Sequence, residues 1–179
     1  MKSSTGQLSG VVTALVTSVD DPDHHGRIEL KFPWLSDTQK SPWVPVAVAL
    51  AGKDRGMFFM PEVNDEVLVA FDHGDFAHPY VVGFLWNGED TPPEQTNQNR
   101  VIKTPGGHTL RFEDKEGDRR VVLKSSTGHV VTLDDAKQSI TVTSASKMLS
   151  LTMDDAAQSI VIRGGLRSII LQGGTVQIL

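Results

Sequence analysis

The chain has 179 residues, 39% of them hydrophobic, with 16 glycines, 9 prolines, a net charge of −5 and a pI near 5.6. It has no cysteine, which excludes disulfides and thiolate metal sites, and its acidity excludes a domain-wide cationic field that recruits nucleic acid or anionic lipid. The length permits one domain or two small ones, and the thin apolar content with a heavy turn load fits an elongated or oligomeric protein.

The N-terminal apolar run, Val11–Val16, is short and interrupted by Thr13, which fits neither a signal peptide nor a membrane span. Synthesis in the cytoplasm without a signal peptide is therefore expected. Leu8–Val19 is predicted as a strand long enough to bend. Asp20–Gly26 (DDPDHHG) is a turn, opened by Asp-Pro and completed by a permissive glycine. Arg27–Phe32 alternates, with Ile28, Leu30 and Phe32 on one face, and Trp43–Leu50 places Val44, Val46 and Val48 on one face. Gly56–Met60 is short and apolar, and Asp65–Phe71 and Pro79–Trp86 complete a set of five strands. Such strands with turn-rich loops suit a small OB-type barrel over residues 1–86.

Residues 87–100 (NGEDTPPEQTNQNR) are polar and contain Pro92-Pro93, which marks a linker or extended brace. From 101 to 179 the chain repeats itself. GHTLRFED at Gly107 returns as GHVVTLDD at Gly128, with His108 and His129 21 residues apart. DDAKQSITV at Asp134 and DDAAQSIVI at Asp154 agree at six of nine positions. Alternating apolar dyads recur: Leu110/Phe112, Val121/Leu123, Val131/Leu133, Ile140/Val142, Leu151/Met153, Ile160/Ile162, Ile169/Leu171 and Val176/Ile178. A short period of this kind marks a stacked array whose units cannot bury their apolar faces alone.

Fixing a residue's backbone costs about 1–2 kcal/mol, and burying one such side chain returns about 1.5–3 kcal/mol. Two buried side chains on a five-residue strand do not offset its ordering, so the strip needs partners. Three chains wound about one axis would enclose the dyads as a needle interior. A single-chain β-solenoid is the rival, disfavoured because each 20–21-residue period carries only two dyads.

The stretches DPDHHGRIELKFPWL (from Asp21) and GMFFMPEVNDEVLVAFDHGDFAHPYVVGFLW (from Gly56) resemble the phage baseplate assembly protein V and VgrG spike family. The matching residues include Asp21, Pro22, Gly26, Arg27, Phe32, Pro33, Trp34, Pro61, Glu62, Asp65 and Glu66, followed by Gly74, Asp75, Pro79 and Gly83. Asn64 stands where the family commonly has Gly, and Asn tolerates the same positive φ. Thr104–Asp114 resembles the entry to the family's β-helical needle. The resemblance implies an all-β fold: an N-terminal OB barrel (the spike collar), then an intertwined triple-stranded β-helix, as a homotrimeric needle. It implies a structural central spike of a contractile injection apparatus (a phage tail or tail-like particle, a tailocin, a type VI secretion system or an extracellular injection system), joining a hub to a tip and piercing the target envelope. It also implies a separate hub protein at the OB end, inner tube and baseplate proteins as indirect neighbours, and a PAAR-type tip protein on Val176, Gln177, Ile178 and Leu179. No enzyme activity, cofactor, metal or nucleic acid is expected.

Competing readings attach to a few residues. His24-His25 belong to a solvated turn rather than a metal site, and His108 and His129 are expected to be structural rather than ligands of an axial ion. Asp134-Asp135 and Asp154-Asp155 lack the glycine density of calcium-binding repeats. Trp34, Trp43 and Trp86 are expected in packing rather than base stacking. Glu62, Asp65 and Glu66 have no partner acid, histidine or metal set beside them, and their motif position makes them turn residues. Two other functions stay open: a monomeric OB-fold module binding single-stranded nucleic acid or glycan, and a wall hydrolase whose site the sequence does not display.

Overall fold

A computed structural model describes residues 10–35 and 40–179, and the chain divides between Thr91 and Pro92 into two compact units. The first holds β1 (Val11–Ser18), β2 (Arg27–Lys31), β3 (Val44–Pro45), β4 (Ala51–Gly52), β5 (Arg55–Gly56), β6 (Glu66–Phe71) and β7 (Pro79–Leu85). The expected strand start at Leu8 lies outside the described residues. Apart from a short 3-10 turn at Asp72–Gly74, every regular element among the described residues is a strand.

Five of these strands form a sheet in the order β3-β2-β1-β6-β7. β1 serves two partners: Val11–Leu15 pairs with β6, and Leu15–Ser18 pairs with β2 across a register shift between Val16 and Ser18. A second shift, between Leu68 and Val69, leaves Val82 of β7 unopposed. Bulges of this kind bend strands and increase twist. The curl brings the sheet's ends together, where Val46 bridges Val81 in parallel and the Ala47 N–H donates to the Val81 carbonyl at 2.8 Å. The concave side holds the core: Ala14, Val16, Ile28, Leu30, Phe32, Val44, Val67, Val69, Phe71 and Val81, all buried.

Two predicted strands differ from what forms. The third shrinks from Trp43–Leu50 to Val44–Pro45, and Val48 and Leu50 are exposed. Pro45 has no N–H to continue a ladder, and at Val46 the chain leaves β2 for the edge of β7. Gly56–Met60 is not a strand of its own: Gly56 ends the β4–β5 hairpin and Met57–Phe59 are exposed. Glycine is required there, because a Cβ on Gly56 would stand 2.8 Å from the Leu50 carbonyl oxygen, the atom that accepts from the Met57 N–H at 2.9 Å.

The second unit is one antiparallel meander of nine strands: β8 (Asn99–Lys103), β9 (Thr109–Glu113), β10 (Arg120–Lys124), β11 (Val130–Asp134), β12 (Ser139–Thr143), β13 (Leu149–Asp154), β14 (Ser159–Gly164), β15 (Arg167–Gln172) and β16 (Thr175–Ile178). Each strand pairs with the next in sequence, so the repeat is a succession of hairpins rather than the coils of a solenoid. β8 begins inside the segment expected as linker. Glu94 fastens the preceding residues to the sheet, accepting from Asn99 Nδ2 at 2.9 Å and from the Arg111 guanidinium.

Candidate functional site: an unpartnered apolar face

Strict pairing without register slips places all sixteen dyad residues on one face of the meander, in two rows. Leu110, Leu123, Val131, Val142, Leu151, Ile162, Ile169 and Ile178 stand opposite one another in succession, as do Phe112, Val121, Leu133, Ile140, Met153, Ile160, Leu171 and Val176. Ile102 of β8 extends the first row, and Arg100 begins the second. Sequence reasoning missed both, because one isoleucine in a polar stretch shows no period.

Among the described residues of the second unit, none covers this face. Among the described residues every buried apolar side chain belongs to the first unit, and the second unit's one buried residue is Asp134. Leu123 is 54% exposed, Ile162 45% and Ile178 78%. Around Ile140, Met153, Ile160 and Leu171 the face forms a groove of about 1100 Å³. Contiguous apolar surface on this scale marks an interaction site. The opposite face carries Arg111, Val122, Thr132, Thr141, Thr152, Val161, Ile170 and Gln177 in its central row.

The turns explain the repeated polar residues. Asp134 Oδ1 accepts from the Lys137 N–H at 3.0 Å, and Asp154 Oδ1 accepts from the Ala157 N–H at 2.8 Å. The turns then close through Gln138 and Gln158 at positive φ. The Lys137 N–H is the leading cause of a lowered Asp134 pKa. At the alternate turns, Thr104 Oγ1 and Ser125 Oγ accept from the N–H of His108 and His129. His108 Nδ1 accepts from the Ser126 N–H and His129 Nδ1 from the Ala145 N–H, both at 3.3 Å. Each histidine thus ties one turn to the next. Among the described residues no group of three or more histidines and carboxylates is placed to hold a metal ion.

At the start of the sheet an alternating charge network spans Glu94, Arg111, Glu113, Arg120 and Asp118. Arg120 Nε lies 2.9 Å from Glu113 Oε2, but off line for a hydrogen bond, so this contact is purely ionic. Hydrogen bonds, led by that from Asn99, hold the Glu94 carboxyl below its ordinary pKa.

Residues 12–86 match the family described as the type VI secretion system/phage-baseplate injector OB domain. The chain is 35% identical over 131 residues, 66% of its length, to the type VI secretion system spike protein VgrG5 of Pseudomonas aeruginosa. It is 32% identical over 113 residues, 56% of its length, to two Vibrio cholerae proteins, the actin cross-linking toxin VgrG1 and the type VI secretion system spike protein VgrG3. The chain carries the injector OB domain of that family and is similar to VgrG-type spike proteins. It spans 17% of the length of VgrG5, 10% of VgrG1 and 11% of VgrG3.

The VgrG-type motif residues are those that shape the loops of the injector OB domain. Asp21 is buried, and its carboxylate accepts from the N–H groups of Asp23, His25 and Arg27. Gly26 provides the positive φ that lets the loop wrap it, while His24 and His25 stay exposed. Phe32 lies in the core within an aromatic cluster with Trp34, Phe71 and Phe76. Pro33 and Pro22 are exposed turn residues. Pro61 is buried, the Asp65 carboxylate accepts from the Glu62 N–H at 2.8 Å, and Asn64 takes φ 81° between them. Glu66 opens β6. Asp75 accepts from the Ala77 N–H at 2.9 Å and pairs with His78. Trp43 is half-buried, whereas Trp86 is 70% exposed.

Proposed function

We propose that this chain is the structural central spike of a contractile injection apparatus, acting as a homotrimer. In this reading residues 1–86 are the collar, residues 87–100 the joint, and residues 101–179 the needle. The observation that carries it is the apolar face: two hydrophobic rows continuous from β9 to β16 in a sheet with no apolar core of its own among the described residues. Three copies about one axis enclose the sixteen dyad residues as a dry interior and turn the opposite faces outward. Intertwining shares lateral load among three chains and leaves few free strand edges, which is what force transmission from a contracting sheath requires. The role is mechanical rather than catalytic.

The partners follow from the same reading. A hub protein meets the collar. A conical tip protein sits on β16, the last strand of the sheet, whose Val176, Ile178 and the adjoining Leu179 are exposed. The chain is made in the cytoplasm and built into a phage tail or tail-like particle, and it meets the target membrane only by puncture.

The test is the solution mass of the purified chain by light scattering. Three times 19.5 kDa, persisting in mild denaturant, is the expected result. A clean monomer would overturn it and favour an OB-fold module that binds single strands or glycans.

A further inference from the structure

The first unit carries two complementary surfaces that its own fold leaves unused. The first is a cleft of about 500 Å³ floored by Phe59, Phe84 and Trp86 and rimmed by Glu66 and Glu89. Those three aromatic residues are 53%, 47% and 70% exposed. Asp65 and Asp90, also on the rim, are engaged locally with the Glu62 N–H and Asn87 Nδ2, but Glu66 and Glu89 make no side-chain ion pair among the described residues. The second surface is the β4–β5 hairpin. Its tip, Lys53-Asp54, and the adjoining Arg55 present two cations flanking one carboxylate, all without a side-chain ion pair among the described residues, beside Met57 at 45% and Phe58 at 78% exposure.

We infer that the β4–β5 hairpin of one copy docks in the Trp86 cleft of the next, with Lys53 and Arg55 against Glu66 and Glu89. The inference rests on the homotrimer proposed above and assigns how its collar closes. Signs match on balance: Lys53 and Arg55 outnumber Asp54 on the hairpin and meet two unpaired carboxylates around an aromatic floor, and aromatic residues and arginine are enriched in interface cores. The contact is heterologous, one surface meeting a different one, and a repeated heterologous contact closes into a ring when the rotation permits. Only Met57 and Phe58 separate the hairpin from Phe59 of the cleft floor, so each copy offers both surfaces close together, as three copies meeting at one axis require.

The absence of native cysteine makes a cross-link a clean reporter. The full chain carrying Arg55→Cys and Glu89→Cys is oxidised and run without reductant, with its mass measured in parallel. The expected result is a trimeric mass and a three-chain covalent band, lost in either single variant, since one cysteine per chain links at most two chains. A trimeric mass without that band would overturn the docking while leaving the trimer standing, and would give the cleft to a different protein. A monomeric mass would overturn both. A second measurement avoids reliance on cysteine geometry: Lys53→Glu with Arg55→Glu should lower the denaturant midpoint of trimer dissociation, and adding Glu66→Lys with Glu89→Lys should restore it. Failure of that restoration in a chain that still forms trimers would also overturn the docking.

Discussion

The Arg27 guanidinium grips both oxygens of the buried Asp21 carboxylate, Nε to Oδ2 at 3.0 Å and Nη2 to Oδ1 at 2.7 Å. Three backbone N–H groups converge on the same carboxylate. Arg27 is the leading cause of an Asp21 pKa far below its ordinary 3.8, with backbone donors adding to it against the opposing effect of burial. Since the folded value is the lower one, the unfolded chain binds more protons as the pH falls through 3.8. Stability from Asp21 is therefore complete above the ordinary aspartate range and declines with acidification below it. We expect Asp21→Asn to lower Tm at pH 7 by roughly 5 °C or more, the scale on which domains of this size respond to losing one strong interaction. The gap from the wild type should shrink below about pH 4. Thermal melts from pH 7 to pH 2 check this, and a gap that widens in acid would refute the assignment.

Ile140 and Thr141 are neighbours in β12 that face opposite sides of the sheet: Ile140 stands in the row with Leu133 and Met153, Thr141 in the row with Thr132 and Thr152. In the proposed trimer, Ile140→Asp would bury three carboxylates at one level without partners, whereas Thr141→Asp would leave them in water. Unpaired buried charge costs several kcal/mol per ion, and three such charges would stand together at one level. We expect Ile140→Asp to abolish the trimer and Thr141→Asp to retain it, as read by light scattering. Trimers from Ile140→Asp, or their loss in Thr141→Asp alone, would place the interior on the wrong face.

The dyads are legible in sequence because strand periodicity is strict and no bulge interrupts β9 to β16, so a two-residue alternation maps directly onto a face. Ile28, Leu30 and Phe32 are legible for the same reason. Legibility fails where the backbone changes partner. Pro45 and the bridge from Val46 to Val81 cut short a run that alternates as a strand through Val48. The charged brace joins residues remote in sequence, Glu94 with Arg111, and pairwise electrostatics of that kind leave no local pattern. Asn64 is a case where residue chemistry sufficed: its tolerance of positive φ anticipates the 81° it adopts.

His129 and Ala145 bind two turns that belong to successive repeats. The ring accepts through Nδ1, so its proton sits on Nε2, and His108 does the same for Ser126 one repeat earlier. A neutral hydrogen bond of this type contributes about 1 kcal/mol, or about fivefold in a local opening equilibrium. We expect His129→Ala to speed amide hydrogen exchange at Ala145 about fivefold while leaving Ser126 unchanged, and His108→Ala to do the reverse. Exchange measured residue by residue on the full chain separates the two effects. If Ala145 is unaffected by His129→Ala, the histidines do not tie the turns together. If both amides respond to either substitution, the turns open as one unit, and the contribution of each histidine is not local to its own repeat.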